Sequence, residues 1–247
     1  MLRVDKSTSS PPQLAGDPAE AAVRYAEERQ WDVLPGTWLE TDPDGAPCCS
    51  CSAADCPAPG AHPTRPDWVT QASGAVPTVQ HMWQKQPRAS VLLPTGRSFD
   101  VLEVSENAGC LALARSERIN LPLGPVLGAP GRRIMFFVLP GSGDKVPDTL
   151  RSFGCRPASL DLSVLGRGGW VVAPPTRTVP AGMVMWARRP TPANRWLPDA
   201  TEALGALAYA CAREAMEALD AGARPARPAA ARAGAGRGRA AAPVRGR

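Results

Sequence analysis

The chain has 247 residues, 44% of them hydrophobic, which is enough to bury a core in one large or two small domains. Its longest apolar run with strand character, residues 134–139, is far shorter than the roughly 20 residues of a spanning helix. The N-terminus also lacks the apolar stretch of a secretory signal, so we expect a cytoplasmic protein rather than a membrane or exported one.

The net charge of +5 is unevenly distributed along the chain. Seven arginines and no acid lie in residues 222–247, which leaves a net charge of −2 on residues 1–221. The composition of this larger part therefore does not by itself indicate nucleic-acid binding.

The first predicted elements follow a polar stretch over residues 1–16, which is expected to be a disordered lead-in. Asp17-Pro18-Ala19-Glu20 then supplies the N-cap, first-turn proline and early acid of a helix that should run to about Gln30. Residues 41–67 are predicted to form a long loop without hydrophobic periodicity, and a bound metal would explain such a loop inside a compact domain. The sequence also predicts a strand over 32–39, a helix over 78–85, and strands over 90–93 and 99–104.

The second half begins with a predicted helix over residues 108–119 and an apolar strand over 133–139. Leu160–Val164 and Gly169–Ala173 are predicted to pair with each other. The clearest helix spans 199–221, with an apolar stripe and Gly222 at the position of a C-terminal cap. Residues 222–247 are Arg/Ala/Gly/Pro-rich and are expected to be disordered. The stripe consists of Leu204, Leu207, Ala208, Cys211, Ala215 and Leu219.

Four of the seven cysteines fall between Cys48 and Cys56. The spacing of Cys49, Cys51, Cys56 and His62 is C-x-C-x4-C-x5-H, with turn-forming residues between them. Thiolates and an imidazole at such spacing are typical of a closed, tetrahedral structural zinc site. Cys48 remains an alternative first ligand, and a reduced cysteine-rich surface loop remains the alternative interpretation.

Several segments, taken in order, resemble the N-terminal domain of bifunctional DNA primase/polymerase (prim-pol) proteins. The Cys/His loop is similar to a zinc-loop insertion found in part of that family, and the last segment is the most specific. The series covers about residues 19–178. Its segments are AAVRYA at 21–26 with Trp31 after it, the Cys/His loop at 49–63, SVLLPTG at 90–96 after Trp83 and Pro87, VLEV at 101–104, GRRIMFF at 131–137 and GGWVVAPP at 168–175.

The resemblance implies an α+β fold of the archaeo-eukaryotic primase type. In such a fold an N-terminal α/β unit is joined to an RRM-like antiparallel sheet that carries the active site. Residues 17–198 would form this domain, with the zinc loop at 47–63, and residues 199–221 would add a C-terminal helix. The implied partners are DNA and nucleoside triphosphates, and a helicase or another replication protein is left open.

The family's chemistry is nucleotidyl transfer with two divalent ions, Mg²⁺ or Mn²⁺, held by acidic side chains. Two of these acids are spaced Asp-x-Asp, which places both on one face of a strand. In this chain those positions are Glu103 and Ser105. The third acid falls at Ser163 by direct counting, but Asp161 lies on the same strand face. The resemblance therefore implies Glu103, Ser105 and Asp161 as the catalytic positions.

The family's triphosphate-contacting histidine corresponds to Arg133, which follows Arg132. A guanidinium binds phosphate through its two-pronged fork, so both arginines are candidate nucleotide-binding residues. This interpretation requires the strands around 101–105 and 161–163 to lie side by side and to turn their polar side chains toward one cleft.

Two functions remain open from the sequence. One is template-directed nucleotidyl transfer, weakened or lost because the chain departs from the family at most of the metal-binding positions, with Glu103 and Ser105 in place of the Asp-x-Asp pair and Ser163 in place of the third acid. The other is a non-catalytic derivative that binds nucleic acid or a nucleotide, or regulates a partner. A zinc hydrolase is disfavoured, because four closely spaced ligands leave no open coordination position.

The arginine-rich residues 222–247 also have two interpretations. Seven arginines could neutralise phosphates of DNA or RNA without sequence preference. Alternatively, the segment reflects a compositional bias, because the whole chain contains far more arginine than lysine.

Overall fold

The computed structural model describes residues 16–179 and 182–220. The predicted lead-in, apart from Gly16, and the predicted arginine-rich tail lie outside the described residues, as does the predicted cap Gly222. Within the described residues the helices are α1 (Pro18–Arg29), α2 (Val76–Lys85), α3 (Glu106–Arg118), α4 (Val146–Ser152) and α5 (Ala200–Asp220). The strands are β1 (Leu34–Gly36), β2 (Leu39–Thr41), β3 (Pro47–Cys49), β4 (Ser90–Pro94), β5 (Asp100–Ser105), β6 (Val126–Ala129), β7 (Arg133–Val138), β8 (Leu162–Leu165), β9 (Trp170–Ala173), β10 (Arg177–Thr178), β11 (Gly182–Met183) and β12 (Met185–Arg188).

The predicted helix start at Asp17 is confirmed. The Asp17 carboxylate accepts a hydrogen bond from the N–H of Ala19 at 2.9 Å, and Pro18 occupies the first turn of α1. The helix ends at Gln30, whose φ of 55° lies in the left-handed region. Local sequence chemistry thus sets both ends of α1.

A five-stranded antiparallel sheet has the order β12-β6-β7-β5-β8. Its central strand, β5, pairs with β7 on one side and with β8 on the other, so that Glu103 lies opposite Met135 and Ser163. Since alternate residues of a strand point to opposite faces, the odd-numbered positions of these three strands share one face.

The two faces of this sheet pack against different layers. The even-numbered side chains Leu102, Val104 and Phe136 contribute to a core that also contains buried residues of α3, α4 and α5. The odd-numbered Val101 and Phe137 contribute to a second core, shared with α1, α2 and a three-stranded antiparallel sheet of order β1-β4-β9. The protein is therefore an α+β molecule.

The predicted pairing between 160–164 and 169–173 is wrong. β8 pairs with β5 in the five-stranded sheet, whereas β9 pairs with β4 in the three-stranded one. The chain passes between the sheets at residues 166–169, where the Thr95 hydroxyl donates to the Gly166 carbonyl and the Thr95 N–H donates to the Gly169 carbonyl. Short sequence separation suggested a hairpin, but β8 and β9 find their hydrogen-bonding partners in different sheets.

The predicted C-terminal helix is present as α5 within the described residues. Leu204, Leu207 and Cys211 of its apolar stripe are buried, whereas Leu219 is 62% exposed. At its start the Asp199 carboxylate accepts from the N–H of Thr201, and the Glu202 carboxylate accepts from the N–H of Asp199. Such reciprocal capping fixes the entry into a helix. None of the described helices combines the length and apolar character needed to cross a bilayer.

Candidate functional site

The β2–β3 hairpin carries the cysteine cluster. Cys49 is the last residue of β3, Cys51 follows in a turn and Cys56 in the loop after it, and the chain then returns so that His62 lies beside Cys49. The four ligand atoms lie within 4.8 Å of one another, and the distance from Cys49 Sγ to His62 Nε2 is 3.4 Å. Neighbouring Cys48 is not a member of this group. The structure thus brings together the four residues predicted from spacing.

Backbone contacts hold the returning loop in place. The Thr37 N–H donates to the His62 carbonyl at 2.8 Å, and the Trp170 indole donates to the Ala61 carbonyl at 3.1 Å. His62 Nδ1 lies 2.9 Å from the Pro63 carbonyl, a contact that orients the ring and directs Nε2 toward the cysteines. Gly60 has a φ of 73°, which favours glycine at this bend.

The thiol groups differ in their acidity. Burial alone would raise the pKa of Cys49, but hydrogen bonds from the backbone of Cys51 and Gly60 lower it to about 6. Burial raises the pKa of Cys56 to about 12. Three sulfur ligands and one imidazole in a closed group could bind a metal ion, with no coordination position left for a substrate.

A second polar cluster lies on the odd-numbered face where β5, β7 and β8 come together. Arg133 Nε is 2.9 Å from Glu103 Oε1, and Arg133 Nη1 is 2.5 Å from Asp161 Oδ2. The exposed fractions of the Arg133, Glu103 and Asp161 side chains are 19%, 20% and 36%. One guanidinium therefore bridges two carboxylates in a partly buried cleft.

The small side chain at 105 makes this bridge possible. Ser105 lies directly opposite Arg133, and Asp161 immediately precedes the strand on the other side of β5. The Arg133 side chain therefore passes over Ser105 to reach Asp161. Ser105 itself caps α3 by accepting from the N–H of Ala108 at 3.1 Å, and it donates to Glu214 Oε2 at 2.5 Å.

The charge of Arg133 is stabilised by its partners. Burial disfavours the charged guanidinium, but hydrogen bonds and the charges of Asp161 and Glu103 outweigh that effect and raise the pKa of Arg133 above its ordinary value. The cluster therefore contains its own permanent cation between two carboxylates.

Arg132 does not join this cluster. It lies in a turn with a φ of 59°, and its side chain is 79% exposed. Its Nε is 2.8 Å from Glu106 Oε2. The two adjacent arginines thus have separate carboxylate partners.

Comparison with known families identifies the domain. Residues 22–196 match the family described as bifunctional DNA primase/polymerase, N-terminal. The chain belongs to this prim-pol family. Neither a curated protein nor a solved structure matches it significantly.

Within the prim-pol domain, the structure brings together some of the positions inferred from the resemblance and not others. Glu103, Asp161 and Arg133 meet in one cluster, and the Ser163 hydroxyl lies 3.4 Å from Glu103 Oε2. Ser105 lies on the same strand but is engaged as a helix cap.

The sequence did not single out Glu214, which α5 brings to Ser105 from beyond the matched family region. The available signal was its position three residues after Cys211, whose sulfur contacts the Asp161 carbonyl at 3.7 Å. Residues three apart on a helix lie on neighbouring parts of one face, so a glutamate beside the apolar stripe could have been assigned to this cleft.

Proposed function

We propose that this prim-pol domain binds nucleic acid and does not carry out template-directed nucleotidyl transfer. The observation that carries the proposal is the position of Arg133, whose guanidinium lies between Glu103 and Asp161. Two-metal catalysis needs carboxylates that are free to hold divalent cations. Here the carboxylates are already paired with a side-chain cation, and Ser105 offers only a neutral hydroxyl.

The residues present do not fit a Mg²⁺ or Mn²⁺ pair. The Glu103, Asp161 and Glu214 carboxylates do not form a group of close ligand atoms; among the described residues, the one group of that kind is the Cys/His cluster. A divalent ion between Glu103 and Asp161 would have to displace the guanidinium and compete with two short ion pairs. We therefore assign the cluster a structural role in the cleft.

We also propose that the five-stranded sheet and its helices have the arrangement of a primase-type fold. The elements β5-α3-β6-β7-α4-β8 follow the order of a βαββαβ unit, and the sheet order β6-β7-β5-β8 is the one such units adopt. This supports an RRM-like sheet, with α1, α2 and the three-stranded sheet as the attached N-terminal unit of a primase-type fold.

We assign zinc to the Cys/His cluster. Cys49, Cys51, Cys56 and His62 provide the soft ligand set that zinc prefers, and the four ligand atoms form a closed group. The ion would fix the β2–β3 hairpin and the loop that returns to Thr37, without taking part in chemistry.

Polymerase activity is the second candidate function. It is favoured by the family match and by the placement of Glu103 directly opposite Ser163, the position where the family's third acid is expected. Retained activity would require the Arg133 side chain to leave the cleft when nucleotide and metal enter.

A primer-extension assay separates the two functions. Full-length protein would be incubated with a primed template, or with template alone, in the presence of Mg²⁺ or Mn²⁺ and nucleotides. We expect no product above that of the Glu103→Ala variant, together with DNA binding that does not require added divalent metal. Extension that disappears in Glu103→Ala would establish the polymerase and refute our proposal.

A further inference from the structure

A basic groove lies between α3 and α5, outside the carboxylate–arginine cluster formed by Arg133, Glu103 and Asp161. Its lining residues are Leu111, Ala114, Arg115 and Arg118 of α3, and Tyr209 and Arg213 of α5. The cavity measures about 210 Å³. Among the described residues that line it, three are arginines and none is acidic. We call it the α3–α5 groove.

Two of the three arginines, Arg115 and Arg118, have no carboxylate partner among the described residues. The Arg115 guanidinium lies over the Tyr209 ring at 4.5 Å from its centroid, a contact that leaves its charge uncompensated. Arg118 is exposed and has no ion-pair partner in the part of the chain that the structure describes. Arg213 pairs with Glu217 at 2.8 Å on the exposed side of α5.

Favourable interaction with a helix dipole explains the positions of only two of the three arginines. Arg115 and Arg118 lie in the last turn of α3, where cations interact favourably with the C-terminal carbonyl groups. Arg213 lies well inside the 21-residue α5, so the dipole of that helix does not account for it. Arg213 is paired with Glu217 one turn further along α5, so it borders the groove while Arg115 and Arg118 supply the charge that no carboxylate balances.

We infer that the α3–α5 groove binds the phosphodiester backbone of single-stranded nucleic acid. Three guanidinium groups supply hydrogen-bond forks that match phosphate oxygens. Tyr209, a residue that is 46% exposed, adds an aromatic ring beside the Arg115 guanidinium against which a base can stack. The cavity is smaller than the roughly 300–1,000 Å³ of pockets that enclose a whole ligand, which suits one phosphate of a chain lying across it.

The surroundings of the groove support a polymeric ligand. Residues 222–247 follow α5 in the sequence and contain seven arginines and no acid, so additional phosphate-binding charge is attached to the same helix. In addition, Glu214, the residue that follows Arg213 in α5, contacts Ser105. The groove and the carboxylate–arginine cluster therefore lie against neighbouring faces of the same turn of α5. This inference rests on the proposed nucleic-acid-binding function and identifies the surface that performs it.

The test measures binding of a fluorescein-labelled oligothymidylate to the full-length protein by fluorescence anisotropy at several salt concentrations. The groove variant combines Arg115→Gln, Arg118→Gln and Arg213→Gln. The control variant combines Arg24→Gln, Arg65→Gln and Arg151→Gln, which removes the same charge from exposed positions outside the groove. Circular dichroism and the unfolding midpoint would verify that both variants are folded.

We expect the groove variant to bind at least about tenfold more weakly than the control, with a salt slope reduced by roughly 2, as the loss of three phosphate contacts to a single strand predicts. Tyr209→Leu should weaken binding, whereas Tyr209→Phe should retain it because the ring is preserved.

Equal affinities of the groove and control variants would overturn the inference but leave the proposed function intact. Equal competition by polyglutamate of matched charge would also overturn it, because the site would then accept any polyanion. A wild-type protein that binds no DNA or RNA would refute the proposed function itself.

Discussion

Arg133 and Asp161 lie on opposite sides of strand β5, yet Nη1 of the arginine is 2.5 Å from Oδ2 of the aspartate. The bridge crosses the central strand at Ser105, where the family has its second acid. A carboxylate at 105 would place a third anionic side chain beneath the guanidinium. In the function that we propose, the serine and the arginine belong to one arrangement, in which a side-chain cation takes the place of metal ions.

Removing this cation should create a metal site. In Arg133→Ser, Glu103 and Asp161 face each other without a counter-charge, and we expect a destabilisation of about 1–3 kcal/mol in metal-free buffer because both groups remain partly buried. Mn²⁺ should raise the unfolding midpoint of this variant but not that of the wild type. Electron paramagnetic resonance of free Mn²⁺ would measure the binding directly.

Arg132→Ser is the matched control for this experiment, because it removes the same charge from the adjacent, exposed residue. It should change neither stability nor Mn²⁺ binding. If folded Arg133→Ser binds no more Mn²⁺ than Arg132→Ser does, the two carboxylates are not arranged to hold a cation, and our proposal that Arg133 occupies a metal position is wrong.

Ser105 should be required for the stability of α3. In Ser105→Ala the N–H of Ala108 loses its acceptor and the Glu214 carboxylate loses its donor. Loss of an N-cap side chain costs about 1 kcal/mol, so we expect a decrease of that size in the free energy of unfolding, measured by urea denaturation. Ser105→Thr, which keeps the hydroxyl, should recover most of it. Equal stability of all three proteins would mean that Ser105 does not cap the helix in solution.

The assignment of zinc to the Cys/His cluster predicts the metal content of the purified protein. Purified protein should contain about one zinc ion per chain by elemental analysis. Cys49→Ser should lose the ion and expose the loop to proteolysis, whereas Cys48→Ser, the adjacent cysteine outside the group, should keep it. If the wild-type protein is free of metal and its fold is unchanged, the assignment of zinc to this cluster is wrong.

The sequence predicted those parts of the molecule in which local chemistry determines structure. Asp17 and Pro18 begin α1 as expected, and the Cys/His spacing identified four residues that converge. Family resemblance also singled out Glu103 and Asp161, and the structure places Glu103 in β5 and Asp161 immediately before the neighbouring strand β8. In each of these cases the relevant residues are close in sequence or are part of a recognisable motif.

Other features depend on tertiary packing and were missed. Strands β6 and β12 are short, and they become strands because β6 pairs with β7 and β12 adds to β6 at the edge of the sheet. Glu214 reaches Ser105 only because α5 packs against α3 and the five-stranded sheet. No local pattern indicates that an arginine will reach across a strand to a carboxylate, so the pairing of Arg133 with both Glu103 and Asp161 became visible only in three dimensions.

Asp199 should make the start of α5 sensitive to acid. The hydrogen bond from Lys145, with that from the Thr201 N–H, lowers the pKa of the Asp199 carboxyl to about 2. Because the folded-state pKa lies below the unfolded one, this stabilisation is present above about pH 4 and is lost as the pH falls toward 2. Asp199→Ala should therefore cost about 1 kcal/mol at pH 7 and progressively less in acid. Urea denaturation at several pH values measures this difference, and a constant difference at all pH values would contradict it.

The arginine-rich residues 222–247 lie outside the described residues, and their role can be tested by removal. If they bind phosphates, a chain ending at residue 221 should bind single-stranded DNA more weakly at low salt and show a smaller salt slope, because fewer counterions are released. A variant in which the seven arginines are replaced by glutamine is the length-matched control and should behave like the truncation. Anisotropy titrations at several salt concentrations would measure both quantities. An unchanged slope would show that the arginines reflect composition rather than function, and would leave the α3–α5 groove as the remaining candidate for phosphate binding.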